Sequence, residues 1–276
     1  MLFRFARLFL RITAIFFKAR PIWTETAEYR FPNRRVCGMM QVYIKRGAGC
    51  EVQYGQVVRA RFLARPNRFI AHAALESGET VVCHVKNTGR CRELLTPEAV
   101  VYLERAANPH RKTAYDLIAV EKGGRLINMD AQAPNRAFAE WARTFDPAAE
   151  TVKPEFVFGQ SRLDFCLAGR EGLHLVEVKG VTLEDGGHAR FPDAPTERGV
   201  RHLHELMRAV ELGHRATAFF VVQMEDVTDF APNDETHPAF GAALRQAAAA
   251  GVQVAAYSCR VTPDSMTIHR PVPVIL

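Results

Sequence analysis

The feature that most constrains the fold is one stretch, Ser161 to Gly180, in which charged residues interrupt two strand-like apolar runs. In the first run, Leu163, Phe165 and Leu167 occupy alternate positions, which is the period of a β-strand. The second run, residues 173–178, is mostly apolar and β-branched. Because a short glycine-containing segment separates the runs, the stretch predicts a hairpin of two antiparallel strands.

Three charged residues of this hairpin predict a metal site. Glu177 and Lys179 are two residues apart, so they project from the same face of their strand. Antiparallel pairing would bring Asp164 close to Glu177. Charges inside an apolar strand are costly unless they pair with each other or bind a metal ion. Two carboxylates, with a backbone carbonyl and water, are hard oxygen ligands that suit Mg²⁺ or Mn²⁺.

The predicted site indicates chemistry on phosphodiesters. A metal ion held by Asp164 and Glu177 would polarise a phosphodiester, and Lys179 could orient the attacking water or stabilise charge in the transition state. The alternative is that Glu177 and Lys179 are the polar face of an ordinary strand, since an Asp followed by Glu-x-Lys also occurs by chance. The apolar flanks favour the metal site, because they predict that the charges are buried.

Charge and cysteine usage narrow the classes of protein to consider. The 276 residues carry a formal net charge of +6, but most of the excess falls in residues 1–54, and residues 151–276 hold more acids than bases. The positive charge therefore does not by itself make the rest of the chain a nucleic-acid binder. The six cysteines include no Cys-x-x-Cys pair, and this pattern predicts reduced thiols and a cytoplasmic protein.

Residues 1–54 form a basic leader that shows no globular pattern. Within residues 1–20, Arg4, Arg7, Arg11 and Lys18 fall on one helical face, and the apolar runs are too interrupted for a transmembrane helix. Two interpretations remain open: a basic amphipathic helix at a membrane surface, or translated upstream sequence with the true start at Met39 or Met40. We prefer the second, expect the leader to be disordered, and expect no membrane contact for residues 55–276.

Residues 55–134 predict a small barrel, because short strand-like runs alternate with turn residues. Its size and basic loops favour an oligonucleotide-binding (OB) barrel. Phe69 and Tyr115 could stack on bases, although packing in the core is the simpler interpretation. The loop residues could contact phosphate, or they could form an ordinary solvated surface. These candidates are Arg65, Arg68, Lys86, Asn87, Thr88, Arg90, Arg111 and Lys112.

Residues 135–276 alternate helical and strand patterns, which predicts an α/β domain with a mixed central sheet. Helices are predicted at residues 135–145, 197–212 and 238–250, with Thr196 as the N-cap of the second. The almost wholly apolar run at residues 216–223 predicts a buried central strand. Four further residues could assist the metal site, with a plain solvent-facing surface as the alternative. They are Glu140, Glu155, Arg198 and His202.

Six separated motifs, in this order along the chain, resemble those of the sugar fermentation stimulation protein A family. They are Phe62-Leu-Ala-Arg-Pro-Asn-Arg-Phe69, His84-Val-Lys-Asn-Thr-Gly-Arg90, Asn108-Pro-His-Arg-Lys-Thr-Ala-Tyr115, Gly159-Gln-Ser-Arg-Leu-Asp-Phe165, Val176-Glu-Val-Lys179 and Pro195-Thr-Glu-Arg-Gly-Val-Arg-His-Leu203. The resemblance covers roughly residues 55–276 and is highly specific, because six motifs occur in order.

The resemblance implies an OB barrel followed by a PD-(D/E)xK nuclease-like domain, with Asp164, Glu177 and Lys179 as the nuclease-like triad. Family members are described as binding DNA without sequence specificity and as regulators of maltose metabolism. This chain departs from the family pattern at one position. The residue before Asn-Thr-Gly-Arg is usually Pro in the family and is Lys86 here. The loop is then expected to be less rigid, and the added charge favours phosphate.

Two functions remain open at this point. The first is a sequence-nonspecific DNA-binding protein with a nuclease-like metal site, acting in sugar metabolism, in which cleavage is absent or incidental. The alternative is an active Mg²⁺-dependent endonuclease or exonuclease. The intact triad favours the enzyme, because a pure binder has no need for two carboxylates that repel DNA. The family description favours the binder. DNA is the expected partner, RNA is an alternative, and the sequence does not determine the oligomeric state.

Overall fold

The computed structural model of the protein describes residues 51–87, 89–108 and 110–276, and regular elements fill most of them. The first half contains β1 (Glu51–Gln53), β2 (Val57–Asn67), β3 (Ile70–Leu75), β4 (Thr80–Val85), β5 (Val100–Arg105), β6 (Tyr115–Lys122) and β7 (Arg125–Asn128). The second half contains α1 (Ala133–Phe145), β8 (Thr151–Phe158), β9 (Ser161–Gly169), β10 (Gly172–Val181), β11 (Leu183–Asp185), β12 (His188–Phe191), α2 (Glu197–Glu211), β13 (Arg215–Val222), β14 (Asp229–Pro232), α3 (Pro238–Ala249), β15 (Gln253–Thr262) and β16 (Ser265–Val272).

Strands β2 to β6 close into a five-stranded barrel. β2 pairs antiparallel with β3 and β5, β3 with β4, and β5 with β6. The sheet closes because β4 also pairs in parallel with β6. Alternate side chains of β4, namely Val81, Cys83 and Val85, are buried in the interior. The predicted OB barrel is confirmed.

A seven-stranded mixed sheet forms the second domain, in the order β1-β16-β15-β13-β10-β9-β8. Strand β13 pairs in parallel with both β10 and β15, whereas β9 and β16 pair antiparallel with their neighbours. Phe219 and Val221 of β13 pack with the apolar residues of α1, while Phe220 and Val222 pack with those of α2 and α3. A strand covered on both faces has to be apolar throughout. The predicted α/β domain with a mixed sheet is therefore confirmed.

The helix boundaries follow the capping residues. The Thr196 side chain accepts a hydrogen bond from the Gly199 amide at 3.1 Å, so it is the N-cap that the sequence predicts. Helix α1 begins at Ala133, two residues before the predicted start, because Pro134 fits the first turn of a helix. Among the described residues, none of the helices has the length and hydrophobicity needed to span a membrane.

Residues 51–54 lie against the sheet of the second domain and not in the predicted leader. Residues 51–54 were expected in the leader, but Glu51–Gln53 form β1 at one edge of the seven-stranded sheet, where Val52 is fully buried. A three-residue strand is too short to show the period of two that identifies a strand, so the sequence pattern does not predict β1. The remainder of the expected leader, residues 1–50, lies outside the described residues.

Two further strands and one turn also differ from the sequence pattern. Strand β8 forms the other edge of the sheet and carries Pro154. Its pairing with β9 is interrupted at Glu155, whose φ is 54°, and its apolar residues do not alternate clearly. Strand β16 lies between β15 and β1 and was not predicted. The hairpin between β9 and β10 turns through residues 170–171 only, because residues 168, 169 and 172 of the glycine-containing segment belong to the strands.

A buried polar network joins the barrel to the second domain. Gln223, which follows β13, donates through Nε2 to the Asn128 side chain at 3.0 Å and to the Asp130 carbonyl at 3.2 Å. Asn128 Nδ2 donates to the Tyr54 hydroxyl at 2.8 Å. Lys86 Nζ lies 3.3 Å from Asp130 Oδ2. Because groups from both domains satisfy one another, the barrel is held in one orientation on the sheet.

Candidate functional site

Strands β9 and β10 separate where the predicted metal site lies. Their antiparallel ladder ends at the pair Phe165 and Val176. At the next position, Asp164 Oδ2 accepts a hydrogen bond from the Val178 amide at 2.8 Å and so replaces a strand carbonyl. Asp164 Oδ1 accepts a second bond from Asn135 Nδ2 of α1 at 2.9 Å. The Asp164 carboxylate is therefore fixed at both oxygens at the point where the strands separate.

The two oxygens of Glu177 have different surroundings. Only 3% of this residue is exposed. Its Oε1 accepts hydrogen bonds from both Lys179 Nζ and His202 Nδ1. Its Oε2 is buried and has no hydrogen-bond partner in the described part of the chain. Because an unsatisfied buried polar atom costs about 1–3 kcal/mol, this oxygen is placed to receive a ligand.

Helix α2 supplies the groups that orient Glu177. His202 is buried on α2, and Arg198 lies one turn before it. The Arg198 Nε donates to His202 Nε2 at 3.3 Å. Since Nε2 is the acceptor, Nδ1 carries the proton that is donated to Glu177 Oε1. Two of the four predicted accessory residues are thus part of the site.

Local charges affect the two carboxyl groups in opposite directions. Burial, together with the nearby Glu177 carboxylate, raises the pKa of Asp164. Burial also acts to raise the pKa of Glu177, but the hydrogen bonds and charges of His202 and Lys179 outweigh it and hold that pKa below its usual value. Glu177 is therefore the group that remains ionised more readily. A bound cation would favour the charged form of both carboxyls.

Asp164, Glu177 and Lys179 line one open cleft, and Arg198 contributes to its wall. The donors present fit a divalent cation, because two carboxylates and the backbone carbonyl of Val178 are hard oxygen ligands in one place. In the described ranges, no group of three or more His, Cys, Asp or Glu side chains could hold a metal ion. An ion bound here would thus depend on backbone carbonyl and water for its remaining ligands.

The structure does not bring the other two accessory candidates to the cleft. Glu155 lies on the edge strand β8 and forms an exposed ion pair with Arg162 at 2.7 Å. Glu140 lies on α1 close to Arg136 and Glu51, and burial raises its pKa. Neither carboxylate lines the cleft. The sequence distance of each residue from Asp164 does not indicate these positions. The left-handed backbone at Glu155 and the helical turn at Glu140 set the directions of the two side chains.

Arg65, a predicted phosphate contact, instead organises the neighbouring loop. Its guanidinium donates to the carbonyls of Arg68, Asn87 and Arg90 at 2.8 Å each, and to that of Gly89 at 2.9 Å. The Asn87 side chain shapes the same loop by accepting a bond from the Gly89 amide at 2.8 Å. These bonds tie the turn between β2 and β3 to Asn87, Gly89 and Arg90.

Two further predicted contacts are paired with buried acids. Arg111 forms a two-bond fork with Asp116, at 2.7 and 2.9 Å. Lys86 lies 3.4 Å from Asp116 and 3.3 Å from Asp130, and its side chain is mostly buried. Cations that neutralise internal carboxylates have little charge left for phosphate. Lys86 is therefore engaged by internal acids, where the sequence predicted a phosphate contact.

The remaining candidates divide into exposed cations and one undescribed residue. Arg68, Arg90 and Lys112 are exposed, and their side chains make no ion pair or hydrogen bond within the described residues. They are thus available to phosphate. Thr88 lies outside the described residues. Phe69 is 50% exposed and not packed in the core as expected, whereas Tyr115 packs against the core.

Asn135 is a site residue that the sequence analysis does not name. It lies in the first turn of α1 and holds Asp164 Oδ1. In the sequence, Asn135 is only a polar residue beside the apolar face of a predicted helix. Such residues are too common to predict a contact with the site. The contact depends on how α1 packs against β9, and no local pattern encodes that packing.

Comparisons with known proteins agree with this architecture. A family model described as the sugar fermentation stimulation protein RE domain matches residues 132–265, and one described as the SfsA N-terminal OB domain matches residues 63–129. The sugar fermentation stimulation protein homolog of Desulfitobacterium hafniense (strain Y51) is 52% identical over 216 residues, covering 78% of this chain and 94% of the relative. The homolog of Clostridium beijerinckii is 46% identical over 227 residues, covering 82% and 100%.

A solved structure shows the same fold over most of the chain. It is that of Pyrococcus furiosus SfsA in complex with Ca²⁺, with a TM-score of 0.74 and 27% sequence identity. The match covers 82% of this chain and 98% of the Pyrococcus chain. Both the barrel and the mixed sheet are thus shared with a solved protein.

Proposed function

We propose that this chain, which belongs to the sugar fermentation stimulation protein family, is a metal-dependent nuclease whose active site is the cleft between β9 and β10. The observation that carries the proposal is Glu177 Oε2, a buried carboxylate oxygen with no partner in the described residues. An ordinary strand has no use for such a group, because it destabilises the fold unless a ligand satisfies it.

The donor set supports Mg²⁺ or Mn²⁺ as the ion. Asp164, Glu177 and the carbonyl of Val178 would hold it through oxygen, and these ions prefer oxygen ligands with water in the remaining positions. The Pyrococcus furiosus relative was solved with Ca²⁺, which takes the same kind of ligand. The bound ion would supply Lewis-acid polarisation of a phosphodiester.

The protein's own side chains would position the other reactants. Lys179 Nζ is held at Glu177 Oε1, so its ammonium stays at the wall of the cleft. From there it can orient the attacking water or stabilise negative charge that develops on the phosphoryl oxygens. Arg198 also lines the cleft and is engaged there through Nε by His202. Its remaining guanidinium donors can bind a substrate phosphate, for which Arg is well shaped.

A DNA-binding regulator that does not cleave is the second candidate. Two observations favour it: the described residues offer no third acidic or imidazole ligand for an ion, and the names of the relatives refer to stimulation of sugar fermentation. In this case, an ion held by Asp164 and Glu177 would bridge the protein to a phosphate without hydrolysis. An effect on sugar metabolism would then follow from binding alone.

The decisive test compares the wild type with Lys179→Ala on labelled single-stranded and double-stranded DNA and RNA, with Mg²⁺, Mn²⁺ or EDTA. We expect cleavage that requires a divalent ion and is lost in Lys179→Ala. The matched control is Lys153→Ala, which removes an exposed lysine from β8 and should cleave like the wild type. Binding without cleavage by the wild type on all substrates would establish the regulator instead.

A further inference from the structure

We infer that the substrate is a single strand of nucleic acid, which runs from Phe69 on the barrel, past Asn87, Gly89 and Arg90, into the cleft of Asp164 and Glu177. The inference rests on the proposed function and names the class of its substrate. Four features of the described residues support it: an exposed aromatic ring, unpaired cations beside it, a continuous path to the cleft and the small volume of that path.

The exposed ring lies on the barrel surface that suits oligonucleotides. In OB barrels the second and third strands and the adjacent loops form the ligand face, and here these strands are β3 and β4. Phe69 immediately precedes β3 and is 50% exposed, while Val82 of β4 is 44% exposed. The Phe69 carbonyl accepts a bond from the Val85 amide at 2.8 Å, so the ring lies near the end of β4 that leads into residues 87–90.

Positive charge is concentrated at the same end of the face. Arg68 and Arg90 are exposed and unpaired within the described residues. Arg65 holds them near each other, because it donates to both of their carbonyls at 2.8 Å. The acids of the β3–β4 hairpin, in the turn at residues 76–79, lie at its opposite end. A nucleic-acid backbone is therefore attracted to the end that carries Phe69.

The surface continues from this loop into the cleft. Asn87, Gly180 and Arg190 line a pocket at the junction between the barrel and the sheet. Ala131 lines both this pocket and the cleft that contains Glu177, so the two spaces adjoin. Gly180 directly follows Lys179 on β10. A strand bound at the loop can therefore reach the triad without crossing the body of either domain.

The geometry of this path selects single strands. The junction pocket has a volume of about 110 Å³, well below the roughly 300 Å³ at which pockets begin to hold drug-sized ligands. It has space for part of one nucleotide, which a single strand can insert and a base-paired duplex cannot. Stacking on Phe69 also requires an unpaired base, because the bases of a duplex cover one another.

Fluorescence anisotropy in EDTA measures binding without cleavage. We expect the wild type to bind a labelled single-stranded DNA more tightly than the same sequence as a duplex. Phe69→Ala should weaken single-strand binding by about 5- to 150-fold and leave duplex binding unchanged. Phe69→Leu keeps an apolar side chain but removes the ring, so it should weaken binding as well. Val157→Ala is the matched control, because Val157 is an exposed apolar residue of β8, at 70%.

The connection to the cleft is tested with Mg²⁺ present. If the strand passes from Phe69 to the triad, Phe69→Ala should lower kcat/KM for single-stranded substrate by a similar factor. Equal affinity of the wild type for both forms, or wild-type single-strand affinity in both Phe69 variants, would overturn the inference. The proposed function is judged separately, because it depends on the Lys179→Ala cleavage assay and does not require Phe69.

Discussion

Glu177→Gln tests the metal centre, because it keeps the size of the side chain and removes its negative charge. In the folded protein, His202 and Lys179 hold the pKa of Glu177 below its usual value in spite of burial. A carboxyl with a lower pKa in the folded than in the unfolded state stabilises the fold above its unfolded pKa, and this stabilisation is lost as the pH falls through the folded pKa. The substitution should therefore lower the free energy of unfolding at pH 7.

The size of this effect follows from the two hydrogen bonds at Glu177 Oε1. Bonds to a charged group are worth about 1 kcal/mol more than neutral ones, so replacing the carboxylate should cost about 1–2 kcal/mol without metal. A divalent ion at 100 times its dissociation constant would add about 2.7 kcal/mol to the wild type. In a domain of this size that corresponds to a rise in Tm of roughly 5–10 °C. Glu177→Gln should lose this rise.

The assay is thermal unfolding, followed by circular dichroism, in EDTA and then in Mg²⁺, Mn²⁺ or Ca²⁺. Glu184→Gln is the matched control, because Glu184 is also buried and paired with cations, Lys122 and Arg125, away from the cleft. This control should be less stable in EDTA yet keep the full rise with metal. A rise of wild-type size in Glu177→Gln, or no ion binding to the wild type by titration calorimetry, would refute the metal centre.

Two other predictions concern the exposed cations and pH. Arg90→Ala should weaken binding to unrelated DNA sequences alike and flatten the slope of log K against log salt by about 0.7–0.9. Arg111→Ala should have a smaller effect on both quantities, because Asp116 already neutralises Arg111. A larger effect of Arg111→Ala than of Arg90→Ala would contradict this. Burial lowers the pKa of His174, although Asp146 opposes the change, so the unfolded state takes up the proton first below about pH 6.5. In urea unfolding, the free energy of unfolding of the wild type should fall from pH 7 to pH 5, and that of His174→Gln should fall by less. Equal falls in the two proteins would assign the pH dependence to other groups.

Local patterns in the sequence account for the fold class and for the central residues of the site. The period of two in residues 163–167 predicts β9, and the same period places Glu177 and Lys179 on one face of β10. Thr196 marks the start of α2. These predictions depend only on residues within a few positions of each other. Backbone geometry alone therefore converts them into structure.

Tertiary structure decided which groups complete the site and which cations remain available. His202 reaches Glu177 only because α2 packs over β10, and Asn135 reaches Asp164 only because α1 covers the other side. Arg65 and Lys86 look like phosphate contacts in the sequence, yet the folded chain engages both internally. A sequence shows which residues are charged, but packing between distant segments determines which groups those charges contact. The reason is that a buried polar group is costly unless a hydrogen-bond or ion-pair partner lies beside it in the fold.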